Sequence, residues 1–244
     1  MMNMTECIHN VKSRCRSLAA SAARFAYLAA IAAALGGALA SCSSEGYDTG
    51  DGAYSYLAAD FALLHTGADR AVTAATLDDG TQVQLSNPFT AEWAARPDTA
   101  YRALLYYDKP SAPAAAVKVR GVSQVPVVTL TDAARVTDMH TDPLDIESVW
   151  LSKNGSFLNL SLLLKAGTAS GDSRQTIGLV CEKRSIDADG RRRVCLRVYH
   201  DQNGVPEYYT VQQYASVATE ALDADVAELR VNTYGGEVVR EVEL

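Results

Sequence analysis

Short runs of strand-forming residues separated by turn signals fill the sequence from residue 53 onward. Val, Thr, Tyr, Leu and Ile are concentrated in these runs, and Gly or Asp interrupts them roughly every ten residues. The turns place Gly where a positive φ is favoured. They are Asp78-Asp79-Gly80, Lys153-Asn154-Gly155, Asp187-Ala188-Asp189-Gly190, Asp201-Gln202-Asn203-Gly204 and Gly235-Gly236. This spacing is typical of sandwiches and barrels, so the sequence predicts an all-β protein.

The runs divide into two groups. Five runs within residues 53–131 match the strand count of a small OB-type barrel. Residues 132–143 are poor in aliphatic side chains and end at Pro143, so we predict a linker there. Six or seven further runs within residues 144–244 predict an antiparallel β-sandwich. The expected fold is a five-stranded OB-type barrel followed by this sandwich.

The N-terminus has the layout of an export signal. A basic segment precedes the uncharged stretch from Phe25 to Ser41, which at 17 residues is shorter than the ~20 residues of a typical membrane span. Leu39-Ala40-Ser41-Cys42 resembles the lipobox of bacterial lipoproteins. We therefore predict that residues 1–41 are a signal peptide, that Cys42 is lipidated and that residues 42–52 are an acidic tether. The alternative is a membrane helix with a chance cysteine.

Lipidation would anchor the protein to a membrane without spanning it. Each buried CH₂ contributes ~0.8 kcal/mol, so two or three acyl chains hold a protein stably. Ser43 after the lipidated cysteine favours the outer membrane, by resemblance to Gram-negative sorting. The dilute acids Glu45, Asp48 and Asp51 leave open whether the protein faces the periplasm or the cell surface.

The charge of the mature chain excludes one class of partner. Removing residues 1–42 leaves 18 basic and 28 acidic residues, a net charge of −10. Nucleic-acid binding requires a positive footprint on the phosphate backbone, so we expect no nucleic-acid partner.

Two stretches carry a family resemblance. "GDGAYSYLAADF" opens the mature chain, and "DPLDIESVWLSKNGSFLNLSLLLKAG" opens its second half. Together they resemble the NigD-like lipoproteins of Bacteroidota, most specifically at residues 149–151 and 157–160. The resemblance covers essentially the whole mature chain. It implies an N-terminal OB domain, a C-terminal β-sandwich and a cell-envelope location, and it implies no biochemical activity.

The sequence carries no recognisable catalytic or metal motif. Gly-x-Ser-x-Gly is absent, and His65, His140 and His200 lie in three distant segments, where we interpret them as surface polar residues. Asp187-x-Asp189-Gly190 begins like a calcium loop, but Leu196 occupies the position of the required acid. We therefore predict no enzyme, no metal site and no cofactor, although a triad assembled in space would escape this test.

Tyrosine is the most suggestive residue type for binding. Aromatic side chains on a sandwich or OB surface can stack on sugar rings or peptides, and in sheets they also pack across strands. The candidates for ligand stacking are Tyr54, Tyr56, Trp93, Tyr106, Tyr107, Tyr208 and Tyr209. Asp98-Thr99-Ala100 matches the O-glycosylation pattern of exported Bacteroidota proteins, which makes Thr99 a candidate modification site.

Two cysteines remain for pairing after export. Cys181 and Cys195 flank a predicted hairpin turn and are separated by 14 residues, an even number that puts both side chains on one face unless a bulge intervenes. An oxidising envelope permits a disulfide between them. Two reduced cysteines packed as small apolar side chains are the alternative.

These observations predict a membrane-anchored envelope lipoprotein without catalytic activity. It would be a binding or accessory module for a protein or glycan partner. The alternatives are a structural or immunity-type component of an envelope complex and, third, an unrecognised hydrolase.

Overall fold

The structure, a computed structural model, describes residues 56–110, 112, 115–168 and 173–244. The predicted signal peptide, Cys42 and Tyr54 lie outside the described residues. In the part of the chain that the structure describes, no helix is long and apolar enough to cross a membrane.

The first five strands form one curled antiparallel sheet, in the order β3-β2-β1-β4-β5. They are β1 (Leu57–Thr66), β2 (Val72–Leu77), β3 (Gln82–Phe89), β4 (Ala100–Asp108) and β5 (Lys118–Gln124). Gly80 occupies the predicted turn between β2 and β3 with φ +88°. A bridge between Leu85 and Val117 joins β3 to the chain just before β5, which closes the sheet into a barrel.

The remaining strands form two sheets that enclose one apolar core. The larger sheet has the order β13-β12-β10-β9-β6, and the smaller one has the order β11-β8-β7. Their strands are β6 (Leu130–Asp132), β7 (Asp145–Leu151), β8 (Phe157–Ala166), β9 (Thr176–Ile186), β10 (Arg192–Asp201), β11 (Tyr209–Ala218), β12 (Val226–Thr233) and β13 (Gly236–Glu243). A 3₁₀ turn (Ala133–Arg135) follows β6, and the short helix α1 (Thr219–Leu222) precedes β12. The predicted all-β class, a barrel followed by a sandwich, is confirmed.

The larger sheet differs from the prediction in one respect, because it is not purely antiparallel. β10 pairs in parallel with β12, and β6 pairs in parallel with β9. Between β10 and β12 the chain crosses to the smaller sheet as β11, so that β12 returns beside β10 in the same direction.

Alternating burial along the strands builds the sandwich core. In β10, the side chains of Val194, Leu196 and Val198 are buried, while Arg193 and Arg197 lie on the outer face. Leucines of β8 face these residues from the smaller sheet, at positions 158, 160, 162 and 164. Fully burying one such aliphatic side chain contributes ~1.5–3 kcal/mol, so this alternation stabilises the packing of the two sheets.

The barrel and the sandwich share a packed junction. Ala62 and Leu64 of β1 point into the barrel core, whereas Phe61 lies on the opposite face of β1. The Phe61 ring centroid lies 5.4 Å from that of Trp150 in β7 and 5.1 Å from that of Tyr214 in β11, both edge to face. Such aromatic pairs contribute ~0.5–1.5 kcal/mol beyond their area burial.

The segment between barrel and sandwich is held at both ends. β6 already pairs with β9, and Thr141 forms a parallel bridge with His200. The proposed domain limits, residues 53–131 and 144–244, stay a prediction.

The structure does not contain the predicted disulfide between Cys181 and Cys195, and both cysteines are free. A bulge between Cys195 and Leu196 shifts the register, so that Cys181 pairs with Leu196 and Cys195 pairs with Lys183. Because the bulge adds one residue to one of the two strands, an even separation no longer puts the two cysteine side chains on the same face of the sheet. Cys181 therefore packs in the core, while Cys195 lies among the charged side chains of the outer face.

Candidate functional site

Several loops meet at one end of the sandwich, which we call the loop end. It comprises residues 138–144, 166–168, 173–175, 201–208 and 233–236. Hydrogen bonds join these loops: Tyr208 N to Ala166 O (2.9 Å), Asn203 Nδ2 to Arg174 O (3.1 Å) and Asn232 Nδ2 to Thr141 O (2.7 Å). In many sandwiches, ligands bind at such clustered loops.

Three exposed tyrosines lie at the loop end. Tyr208 is 78% exposed, Tyr209 55% and Tyr234 42%. The Tyr234 hydroxyl donates to Oε2 of Glu207 at 3.2 Å. The ammonium of Lys165 lies 5.8 Å from the Tyr234 ring centroid. Burial and the carboxylate of Glu207 raise the pKa of Tyr234 to about 12.

Gly167 shapes the position of Tyr208. A Cβ at residue 167 would lie 2.8 Å from the carbonyl oxygen of Pro206 and 2.9 Å from the ring of Tyr208. Real Cβ atoms do not approach backbone so closely, so only glycine lets the 202–208 loop lie against the end of β8. Sequence reasoning identified Tyr208 and Tyr209 but missed Gly167, because the close approach comes from the loop that precedes β11.

His140, Asp142 and Asp201 form a cluster at the same end. One ligand atom from each of the three lies within 4.8 Å of the others. Nε2 of His140 lies 3.1 Å from Oδ2 of Asp138, and Nδ1 lies 3.8 Å from Oδ1 of Asp201. Asp142 Oδ2 accepts the backbone N–H of Gln202 at 2.7 Å. Burial, followed by the charge of the nearby carboxylates of Asp201, Asp138 and Asp142, raises the pKa of Tyr199.

His200 is not a surface residue, contrary to the sequence interpretation. It is 1% exposed, because it lies on the inward face of β10. Its Nδ1 lies 2.9 Å from the carbonyl oxygen of Asp142, and its Nε2 lies 3.1 Å from Oε1 of Gln175. The buried ring thus fixes the 138–144 loop onto the end of β10.

A shallow depression of about 350 Å³ lies on the outer face of the larger sheet, beside the loop end. Val136, Met139 and Val180 supply apolar lining. Arg197 and Glu182, which are ion-paired, line the rest together with Ala133 and Thr141. Thr141 separates His140 from Asp142, so the depression adjoins the cluster.

The other predicted aromatic residues are dispersed over the barrel. Tyr107 is buried and donates to Asp60 at 2.7 Å, so its ring offers no open face. Tyr106 packs at the junction with the sandwich. Trp93 packs against the barrel core, edge to face with Tyr101 at 6.0 Å. Tyr56 is 89% exposed and immediately precedes β1.

Two other sequence motifs have structural partners. Thr99 is half-buried and its hydroxyl donates to the carbonyl oxygen of Pro97, so its glycosylation stays a prediction. The acids of the calcium-like turn are bound by arginines, Asp187 by Arg193 at 3.1 Å and Asp189 by Arg191 at 2.9 Å. These arginines occupy the carboxylates that a calcium ion would need.

Sequence reasoning missed a buried polar network at the barrel–sandwich junction. The Arg102 side chain in β4 is 1% exposed and forms a bidentate ion pair with Asp78. Arg102 also donates to Asn159 at 3.0 Å and to Ser216 at 3.3 Å, and its guanidinium lies 4.3 Å from the Phe157 ring centroid. The network joins the turn after β2 and strand β4 of the barrel to β8 and β11 of the sandwich.

The comparisons with known proteins support the fold. No protein-family model and no curated protein matches the sequence. Among solved structures, a NigD-like immunity protein from Bacteroides caccae is 21% identical, with a TM-score of 0.57 over 78% of this chain and 93% of that one. A candidate toxin-related protein from Parabacteroides distasonis is 16% identical, with a TM-score of 0.59 over 77% and 93%. A candidate lipoprotein from Bacteroides fragilis is 12% identical, with a TM-score of 0.56 over 77% and 97%.

These matches show that the chain has the two-part all-β fold of NigD-like proteins. The resemblance predicted from the sequence is therefore confirmed at the level of the fold.

Proposed function

We propose that this protein is a non-catalytic lipoprotein of the cell envelope that binds a protein partner through the loop end of its sandwich. The observation that carries this proposal is the exposure of the consecutive residues Tyr208 and Tyr209 at the start of β11, together with that of Tyr234 in the turn between β12 and β13. Tyrosine is enriched at protein interfaces, where it supplies a large contact area at low entropic cost.

The structural neighbours agree with a protein partner. One of them is named an immunity protein and another a candidate lipoprotein. The name of the first supports a protein as the partner class, and lipidation at Cys42 would hold such a binder at the membrane, with the outer membrane as the favoured location.

The histidines support a non-catalytic role. His65 contacts the hydroxyl of Thr76 at 2.8 Å, but within the described residues no acid contacts its other ring nitrogen. His200 bonds to a carbonyl and a carboxamide, and His140 lies beside carboxylates without a serine or cysteine in hydrogen-bond contact among the described residues. A nucleophile, base and acid are not brought together there as a hydrolase requires.

The binding surface is tested with the lipidated protein. The wild type and the Tyr208→Ser/Tyr209→Ser double variant are expressed in the native host, crosslinked and purified from detergent extracts. Proteins and glycans that are retained are then identified by mass spectrometry. We expect a protein that is enriched with the wild type to be at least tenfold depleted with the double variant, as happens when aromatic interface anchors are removed.

Tyr56→Ser is the matched control, because Tyr56 is also exposed, at 89%, but lies immediately before β1 of the barrel. It should retain the partner. Equal depletion in the control, or retention by the double variant, would contradict the assignment of the loop end. Enrichment of a glycan in place of a protein would contradict the proposed partner class.

The anchor is tested separately with Cys42→Ala. We expect the variant to leave the detergent phase that holds the wild type, because the acyl chains are lost with the thiol. A variant that still partitions into detergent would place the anchor elsewhere.

A further inference from the structure

We propose that His140, Asp142 and Asp201 bind a divalent first-row transition-metal ion at the loop end. The three side chains come from two segments, the 138–144 loop and the end of β10. The bridge between Thr141 and His200 holds these segments side by side. This site is independent of the tyrosine surface proposed above.

The carboxylate of Asp138 orients the imidazole ring of His140 for metal binding. Its Oδ2 lies 3.1 Å from Nε2 of His140, which places the ring proton on Nε2 when the imidazole is neutral. Nδ1 then presents a lone pair toward Oδ1 of Asp201, 3.8 Å away. Two acceptors at that separation cannot share a hydrogen bond, but they can share a cation. A carboxylate that orients a histidine in this way is the usual outer partner of metal-bound imidazole.

The separation of the ligand atoms fits one ion after a small movement. Metal bonds to imidazole nitrogen and carboxylate oxygen are ~2.0–2.2 Å long, so two ligands of one ion lie at most about 4.4 Å apart. The histidine and Asp201 atoms already meet this limit at 3.8 Å, and all three ligand atoms lie within 4.8 Å of one another, so little movement is required. Rotation of half-buried side chains can supply that movement.

The carboxylates of the cluster have no arginine or lysine partner among the described residues. Within the described residues, no arginine or lysine forms a salt bridge with Asp138, Asp142 or Asp201, whereas Asp187, Asp189 and Asp225 are each paired with an arginine. Closely spaced carboxylates without a cation repel one another, and a divalent ion would remove that repulsion.

The donor set selects the class of ion. One imidazole and two carboxylates suit Zn²⁺ or Mn²⁺, whereas Ca²⁺ and Mg²⁺ favour sites made of oxygen alone. Three protein ligands leave coordination positions open for water or for a ligand from a partner.

Isothermal titration of the detergent-solubilised protein, stripped of metal with a chelator, tests the site. Zn²⁺, Mn²⁺, Ca²⁺ and Mg²⁺ are titrated separately into the wild type and the variants His140→Gln, Asp201→Asn and Asp138→Asn. We expect one equivalent of Zn²⁺ or Mn²⁺ to bind more tightly than Ca²⁺ or Mg²⁺. Each ligand variant should weaken binding at least tenfold, and Asp138→Asn should weaken it roughly tenfold, as is usual for outer partners.

Asp189→Asn is the matched control, an exposed loop acid outside the cluster that should leave the affinity unchanged. Circular dichroism checks that each variant is folded, and an unfolded variant is replaced by Asp142→Asn. The site is refuted if the wild type binds none of the four ions, if Ca²⁺ binds best, or if folded ligand variants bind as the wild type does. The last result would assign the metal to other groups, such as Cys195.

Discussion

Arg102 carries a full charge in the interior of the protein, which is costly unless every donor finds an acceptor. The carboxylate of Asp78, the carboxamide of Asn159 and the hydroxyl of Ser216 give each of its three guanidinium nitrogens an acceptor. Removing one partner of a buried ion pair leaves the other charge unpaired in a medium of low polarity, which typically costs ~3–5 kcal/mol.

We therefore predict that Arg102→Met lowers the free energy of unfolding by about 3–5 kcal/mol, measured by urea denaturation. The double variant Arg102→Met/Asp78→Asn should be less destabilised than the two single changes added together, since it leaves no unpaired charge. Arg120→Met is the control, because the Arg120–Asp108 pair is solvent-exposed and its loss should have little effect. Equal midpoints for Arg102→Met and Arg120→Met would contradict the role of the network.

The second prediction at the residue scale concerns Tyr234. Its pKa of about 12 lies above the ordinary value of 10, so the folded protein holds the phenolic proton more tightly than the unfolded chain does. The stability contributed by this proton is present below pH 10 and is lost as the pH rises from 10 to 12. Phenolate absorbance in the wild type minus that in Tyr234→Phe should titrate near pH 12, and Glu207→Gln should lower this midpoint. A difference spectrum that titrates near pH 10 would contradict the contact with Glu207.

The position of an individual site residue could be predicted from the sequence only where the neighbouring residues determine whether its side chain is exposed. Tyr208 and Tyr209 directly follow a turn, and both are exposed. The alternation of β10 would have placed His200 on the inward face with Val194 and Val198, but its position next to a predicted turn favoured the surface interpretation. Arg102 lies in β4, whose side chains are buried on both faces of the sheet. Alternation of apolar and polar residues cannot indicate this, because the second face is buried only by contacts with the sandwich.

At the scale of the elements, turns were predictable and register was not. Gly80, Gly155, Gly190, Gly204 and Gly236 all have positive φ, at five predicted turns. The bulge at Glu182 in β9 leaves no comparable signature in the sequence, because it depends on how β9 and β10 pack over the core. The parallel pairs were also missed, since the order of strands in a sheet is set by crossovers that a linear pattern does not reveal.

The bulge leads to a prediction about thiols. Counting thiols after unfolding without reductant should give two for Cys181 and Cys195, because their side chains lie on opposite faces of the larger sheet. In the folded protein Cys195 should react slowly with alkylating reagents, since burial and the carboxylate of Glu228 raise its pKa. Glu228→Gln should speed this reaction. If no free thiol is recovered, the two cysteines are joined in a disulfide, and this result would contradict the bulge.

At the scale of the whole molecule, the limits of the two β units can be tested by proteolysis. Arg135 is exposed in the 3₁₀ turn between barrel and sandwich, so trypsin should cut there first and leave a fragment beginning at residue 136. The fragments should elute together from a sizing column, because the junction of Phe61, Trp150 and Tyr214 remains packed. Arg135→Gln should abolish this first cut. Initial cleavage inside residues 57–124 would contradict the proposed limits.

The parallel pairs of the larger sheet also constrain the order in which the chain folds. All pairings of the barrel lie within residues 57–124, whereas β6 pairs with β9 and β10 pairs with β12, each some thirty residues or more later in the chain. Closing such long loops slows folding relative to local contacts. The barrel can thus form while the sandwich is still incomplete, with the apolar faces of β8 and β10 uncovered until β12 is in place. In that interval the incomplete sandwich is the part of the molecule most prone to aggregation.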